Sequence, residues 1–131
     1  VVVASVGGRM TIKLTLPYPP SANRYWRNYN GRMVVSDEAR VYKELVAYEW
    51  LAQSHGADCL EGNVSLTLKV YRPRKSGDLS NRIKVLEDAL NGLAYEDDSQ
   101  VKELHAYRYD DKLNPRVEVE IEAVYPLSGK D

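Results

Sequence analysis

The chain has 131 residues, with 18 Lys and Arg against 19 Asp and Glu and a net charge of −1. One domain with its own core is the natural count at this length, and 44% apolar with 28% charged residues excludes a disordered chain. Cys59 is the single cysteine, which excludes an internal disulfide and a thiolate zinc site, while apolar runs of a few residues exclude a membrane-spanning helix.

Residues 1–9 (VVVASVGGR) precede Met10 and are set aside as a tag remnant or disordered leader. The domain then covers 10–126, followed by a disordered tail over 127–131. Ile12, Leu14 and Leu16 alternate as a strand, which Pro17, Pro19 and Pro20 end. A polar loop follows, with Asn30-Gly31 marking a small hairpin into Met33–Val35. Ser36 is a helix N-cap, and Val41, Leu45, Tyr48 and Ala52 form one apolar stripe of a helix ending near Gly56. Val64, Leu66, Leu68 and Val70 alternate as a second strand. A basic loop leads to a second helix carrying Leu79, Ile83, Leu86 and Leu90, stopped by Asn91-Gly92. Val101–Tyr109 and Arg116–Val124 complete the order β-α-β-α-β-β. The expected architecture is α/β (α+β): a single two-layer domain, a small mixed sheet with two helices.

The near-neutral total hides an asymmetry. Six basic residues (Lys69, Arg72, Arg74, Lys75, Arg82, Lys84) face one acid, Asp78, over 69–84, a net of +5; residues 96–122 carry a net of −5. A local basic stripe matters more to a polyanion than the total does. Upstream, Asn23 to Tyr29 interleaves Arg24 and Arg27 with Tyr25 and Trp26, a pattern in which aromatic faces stack on bases while arginines take phosphates, or in which a loop simply packs on its own domain.

With one cysteine and two distant histidines, His55 and His105, a catalytic metal has to rest on carboxylates, which favours Mg²⁺ or Mn²⁺. Asp78 at the start of the second helix and Asp97 and Asp98 after it are element-end acids able to converge on such an ion; alternatively they are an N-cap and a solvated turn. Lys84 lies roughly 9 Å of helical rise beyond Asp78, within reach of a phosphate, or forms an i,i+4 pair with Asp88. Carboxylates, a lysine and a basic-aromatic surface together describe metal-assisted phosphodiester hydrolysis.

Two motifs sharpen this. "LPYPPSANRYWR" (Leu16–Arg27) resembles the opening of the RusA-type Holliday junction resolvases of bacteria and prophages. "GDLSNRIKVLEDALNG" (Gly77–Gly92) with "YEDDSQV" (Tyr95–Val101) resembles that family's Asp-Leu-Asp-Asn-x-x-Lys and Asp-Asp-x-Gln-Val. The resemblance implies a cytoplasmic, homodimeric, Mg²⁺-dependent endonuclease (Mn²⁺ substituting) that nicks four-way DNA junctions symmetrically. It implies Asp78, Lys84 and Asp98 as catalytic residues and Asp78, Asp98 and the adjacent Asp97 as metal ligands. Arg24, Tyr25, Arg27, Arg72, Arg74, Lys75 and Arg82 are the expected DNA contacts. Ser80 departs from the pattern, standing where the family has a second metal-binding aspartate. A neutral hydroxyl is a far weaker partner for a hard cation, so weakened or lost cleavage is expected, with a non-catalytic junction-binding module as the alternative.

Overall fold

The computed structural model describes residues 2–6, 9–74 and 79–124, with side chains from residue 11 onward. The elements are β1 (Val2–Val6), β2 (Arg9–Pro17), the single turn α1 (Ala22–Tyr25), β3 (Trp26–Tyr29), β4 (Arg32–Val35), α2 (Asp37–Ser54), β5 (Val64–Arg72) and α3 (Leu79–Leu90). A 3-10 turn (Asp98–Gln100), β6 (Val101–Asp110) and β7 (Arg116–Ala123) follow. Five strands form one mixed sheet in the order β1-β2-β7-β5-β6. Only β5 and β6 run parallel, because the chain between them crosses back through α3.

Alternation decides the faces. Ile12, Leu14 and Leu16, the β5 row Val64, Leu66, Leu68 and Val70, and the β7 row Val117, Val119 and Ile121 are all buried in one cluster with α2 and α3. Each such side chain gains roughly 1.5–3 kcal/mol from full burial. The other face is polar and sets acids between bases: Glu120 of β7 lies opposite Lys13, and Glu118 lies opposite Lys69.

The two helices and the strands β2, β5, β6 and β7 agree with the sequence pattern, as does the stop after α3, where Gly92 takes φ 82°. The hairpin is present too: Asn30 (φ 52°) and Gly31 (φ 79°) supply the two left-handed residues that a tight β3–β4 turn requires. Two expectations are corrected. Val2–Val6, set aside as leader, forms an edge strand paired antiparallel with β2. The buried face of α2 is also not the Val41–Ala52 stripe: Ala39, Tyr42, Val46 and Trp50 are buried, while Val41 (53%), Leu45 (46%) and Tyr48 (67%) stay exposed. The helix has two apolar rows, and the one with the large rings wins because their polar tips find partners. Tyr42 Oη donates to the Pro17 carbonyl at 2.8 Å and Trp50 Nε1 to the Ala57 carbonyl at 3.3 Å. The tail over 127–131 lies outside the described residues.

Candidate active site

Both sequence motifs meet on α3. The end of β2 and the proline loop after it are tied to the helices through their carbonyls: Tyr42 Oη donates to that of Pro17, and Arg82 Nη1 to that of Pro19 at 3.1 Å. The Arg82 guanidinium lies 4.9 Å from the centroid of the Tyr18 ring, and its Nε is buried with no hydrogen-bond partner among the described residues. One turn further, α1 is pinned from below. Tyr25 is fully buried, and its hydroxyl donates to Asp88 Oδ2 at 2.5 Å, the same oxygen that Lys43 of α2 approaches at 3.2 Å. Burial, with the Asp88 carboxylate adding to it, pushes the Tyr25 hydroxyl far above its ordinary pKa, so it remains a neutral donor.

α1 thereby separates two clefts. On one side Lys84, exposed on α3, shares a cleft of about 440 Å³ with Asn23, Trp26 and Met33. On the other, Arg24, Arg74 and Arg82 share one of about 410 Å³ with Tyr18 and the outer α2 residues Val41 and Leu45. Arg82 and Lys84 are two residues apart, about 200° around a helix, which is why one α3 turn serves both.

The acidic turn is held by Gln100. Its Oε1 accepts from the Glu96 and Asp97 amides (2.9 and 3.2 Å), and its Nε2 donates to the Leu60 and Gly62 carbonyls (2.9 and 2.8 Å). Asp97 completes a capping box by accepting from the Ser99 amide at 3.1 Å, and hydrogen bonds from Ser99 hold its carboxyl below the usual range. Asp98 is exposed at the start of the 3-10 turn. Its charge acts on half-buried Glu87, whose pKa is raised first by burial and then by Asp98. Ser80, Lys84 and Glu87 fall at i, i+4 and i+7 on α3, one polar stripe running toward Asp98. Sequence reasoning passed over Glu87, although its spacing from Ser80 and Lys84 marks it as part of that stripe.

Lys75 and Asp78 lie outside the described residues, so the gathering of Asp78 with Asp98 is an expectation still. Among the described residues no three His, Cys, Asp or Glu side chains come together closely enough to hold a metal ion. What is present is Asp98 repelling half-buried Glu87, with Asp97 next to it in sequence: carboxylates of the type a hard divalent cation takes, which the described residues alone do not gather into a site. The expected DNA contacts divide. Arg24, Arg74 and Arg82 share the second cleft, and Arg27 is exposed on β3, 5.9 Å from the Tyr29 ring centroid. Arg72 is bound to Asp110 on the neighbouring strand, Nε to Oδ1 at 2.9 Å. Tyr25 is corrected outright: a ring with no exposed surface cannot stack on a base.

The family model for Endodeoxyribonuclease RusA matches residues 17–122 of this chain. The chain is 33% identical over 114 residues to the crossover junction endodeoxyribonuclease RusA of Escherichia coli K12, covering 85% of this chain and 93% of that protein. It is 32% identical over 114 residues to the enzyme of the same name from Enterobacteria phage 82, with the same coverage, and 32% identical over 120 residues to the uncharacterized protein YqaN of Bacillus subtilis 168, covering 72% and 82%. Both clefts and the acidic turn fall inside the matched span, and the chain belongs to the RusA family of endodeoxyribonucleases.

Proposed function

We propose that this chain is a structure-selective endonuclease that resolves four-way DNA junctions by paired symmetric nicks, using Mg²⁺ or, in its place, Mn²⁺. It acts as a homodimer, because two strands related by the junction's symmetry call for two equivalent sites. Its place of work is the cytoplasm of a bacterium or of a prophage host. The observation that carries the reading is the cleft in which Lys84, from the second motif, opens between Asn23 and Trp26 of the first. A phosphodiester there meets a cation beside an aromatic wall, within one helical turn of Glu87.

Asp78 and Asp98, with Asp97 beside them, would hold the ion. Bound there, it supplies polarisation of the scissile phosphate and acidification of a water. Lys84 stabilises the negative charge that develops on the phosphate oxygens. Arg24, Arg27, Arg74, Lys75 and Arg82 bind the strands electrostatically and so set register without reading sequence. Ser80 contributes no charge to the ion, which lowers affinity for it. A junction-binding module without turnover is the second reading, and Ser80 is the residue that favours it.

Incubating the chain and its Ser80→Asp variant with a synthetic four-way junction, with Mg²⁺ and with a chelator, tests both. The expected result is metal-dependent nicking on opposing strands, stronger in Ser80→Asp by at least about tenfold, each 1.4 kcal/mol of transition-state stabilisation being worth that factor. Tight junction binding with no scission by the native chain, and scission restored by Ser80→Asp, selects the module. Cutting that persists with the chelator, or that takes linear duplex as readily, removes the nuclease proposal.

A further inference from the structure

We infer that the cleft between the Pro19–Pro20 loop and α2 receives a single nucleotide of a DNA strand splayed at the branch point. This rests on the junction-binding reading above and adds to it a pocket for one unpaired base. The cleft's volume, about 410 Å³, is within the roughly 300–1,000 Å³ typical of pockets for small ligands. Its charge is anion-seeking. Arg24, Arg74 and Arg82 border it, and among the described residues that line it Glu38 is the one acid, itself 3.4 Å from Arg24 Nε.

Charge alone would suit any phosphate, and the walls narrow the occupant. Val41 and Leu45 project from α2 into solvent, 53% and 46% exposed, and give the cleft an apolar part of its lining, from a different element than the arginines. Against Tyr18 the Arg82 guanidinium is held by its bond to the Pro19 carbonyl. A stacked arginine plane is a surface on which bases settle, and the apolar residues of the same cleft give a base dry surface to lie against. A backbone phosphate needs no such surface. Arg24 and Arg74 then take the phosphate of the same nucleotide.

A second copy of this chain is the competing occupant, because Val41, Leu45 and Tyr48 form a continuous exposed row. In an isologous contact centred on the cleft, however, the three arginines would face their own duplicates, with Glu38 the one acid among the described lining residues to offset them. That repulsion favours the nucleotide.

The test uses the full chain, a four-way junction with 2-aminopurine at the branch point, and a linear duplex with the same probe in the same sequence. Binding of the native chain is expected to change probe fluorescence at least about twofold in the junction and not in the duplex, as a base leaving its stack does. Leu45→Glu, at an exposed position that leaves the fold alone, abolishes that change and weakens junction binding about tenfold, with duplex binding within about twofold. Arg74→Gln does the same to a lesser degree. A native chain that binds the junction without a fluorescence change overturns the pocket while leaving the junction reading intact, as does Leu45→Glu binding like the native chain. Conversion of a dimer to a monomer by Leu45→Glu, seen by light scattering, assigns the face to the second copy and also overturns it. Absence of binding to either DNA is the failure of the junction reading itself, and the pocket falls with it.

Discussion

The Tyr25 hydroxyl donates to Asp88 across 63 residues of sequence, and Lys43 closes on the same carboxylate oxygen. That one oxygen ties α1, the long helix α2 and the Lys84 helix α3. The tie fixes the width of the Lys84 cleft, because Ala22, Asn23 and Trp26 move with Tyr25. Tyr25→Phe removes the donor and leaves the ring's packing. The expected loss is about 1.5–3 kcal/mol, the range for a hydrogen bond to a charged group, measured by chemical denaturation. Junction nicking should fall with the stability change small enough to leave the chain folded. Unaltered stability would mean that Lys43 alone satisfies Asp88.

The outward-facing row of α2 separates two substitutions of similar size. Trp50 is buried and bonded through its indole nitrogen, whereas Tyr48 is exposed. Trp50→Ala is expected to cost about 3–5 kcal/mol, and Tyr48→Ala to stay within about 0.5 kcal/mol. Thermal unfolding of the two variants side by side decides it, and a reversed order would return the helix to the face that its spacing suggested.

Arg116 lies 3.8 Å from the Tyr71 ring centroid, donates from Nη1 to Asp111 at 2.8 Å and from Nε to Glu118 at 3.0 Å. Its hydrogen bond holds the Asp111 carboxyl below the usual carboxylate range. A depressed folded pKa stabilises above the unfolded value, about 3.9 for Asp, and that gain is lost as pH falls through the lower folded value. Asp111→Asn should therefore be less stable than the native chain at neutral pH and indistinguishable from it in strong acid. Denaturation midpoints across that range provide the measurement; a gap that is constant with pH would assign the effect to packing.

Lys84 is exposed and shares its cleft with Asn23 and Trp26. Lys84→Met keeps the length of the side chain and removes the charge. Nicking is expected to fall by about 10²–10³, the loss seen when one stabiliser of developing charge is deleted. Junction affinity should change only as one phosphate contact does, lowering the salt slope by about one. A variant that loses binding and cleavage in equal measure would make Lys84 a simple DNA contact.

Charge along the chain proved a poor guide to charge in space. The basic run of 69–84 and the acidic run of 96–122 look like opposed surfaces, but β5 pairs with both β6 and β7. That pairing lays Lys69 opposite Glu118 and Arg72 against Asp110, so part of each run neutralises the other. Arg24, Arg74 and Arg82, from three separate segments, form the concentration of charge instead.

Periodicity fixed the strand faces without help, because a period of two has only two phases and one is apolar: Val64, Leu66, Leu68 and Val70 had nowhere else to go. Local chemistry also sufficed for Ser36, whose side chain accepts from the Ala39 amide as an N-cap should, and for the Asn30-Gly31 turn. The face of α2, the burial of Tyr25 and the role of Gln100 were decided by tertiary structure. In each case a polar tip (Tyr42, Tyr25, Gln100) found a partner far along the chain, and such a partner exists only once the chain has folded.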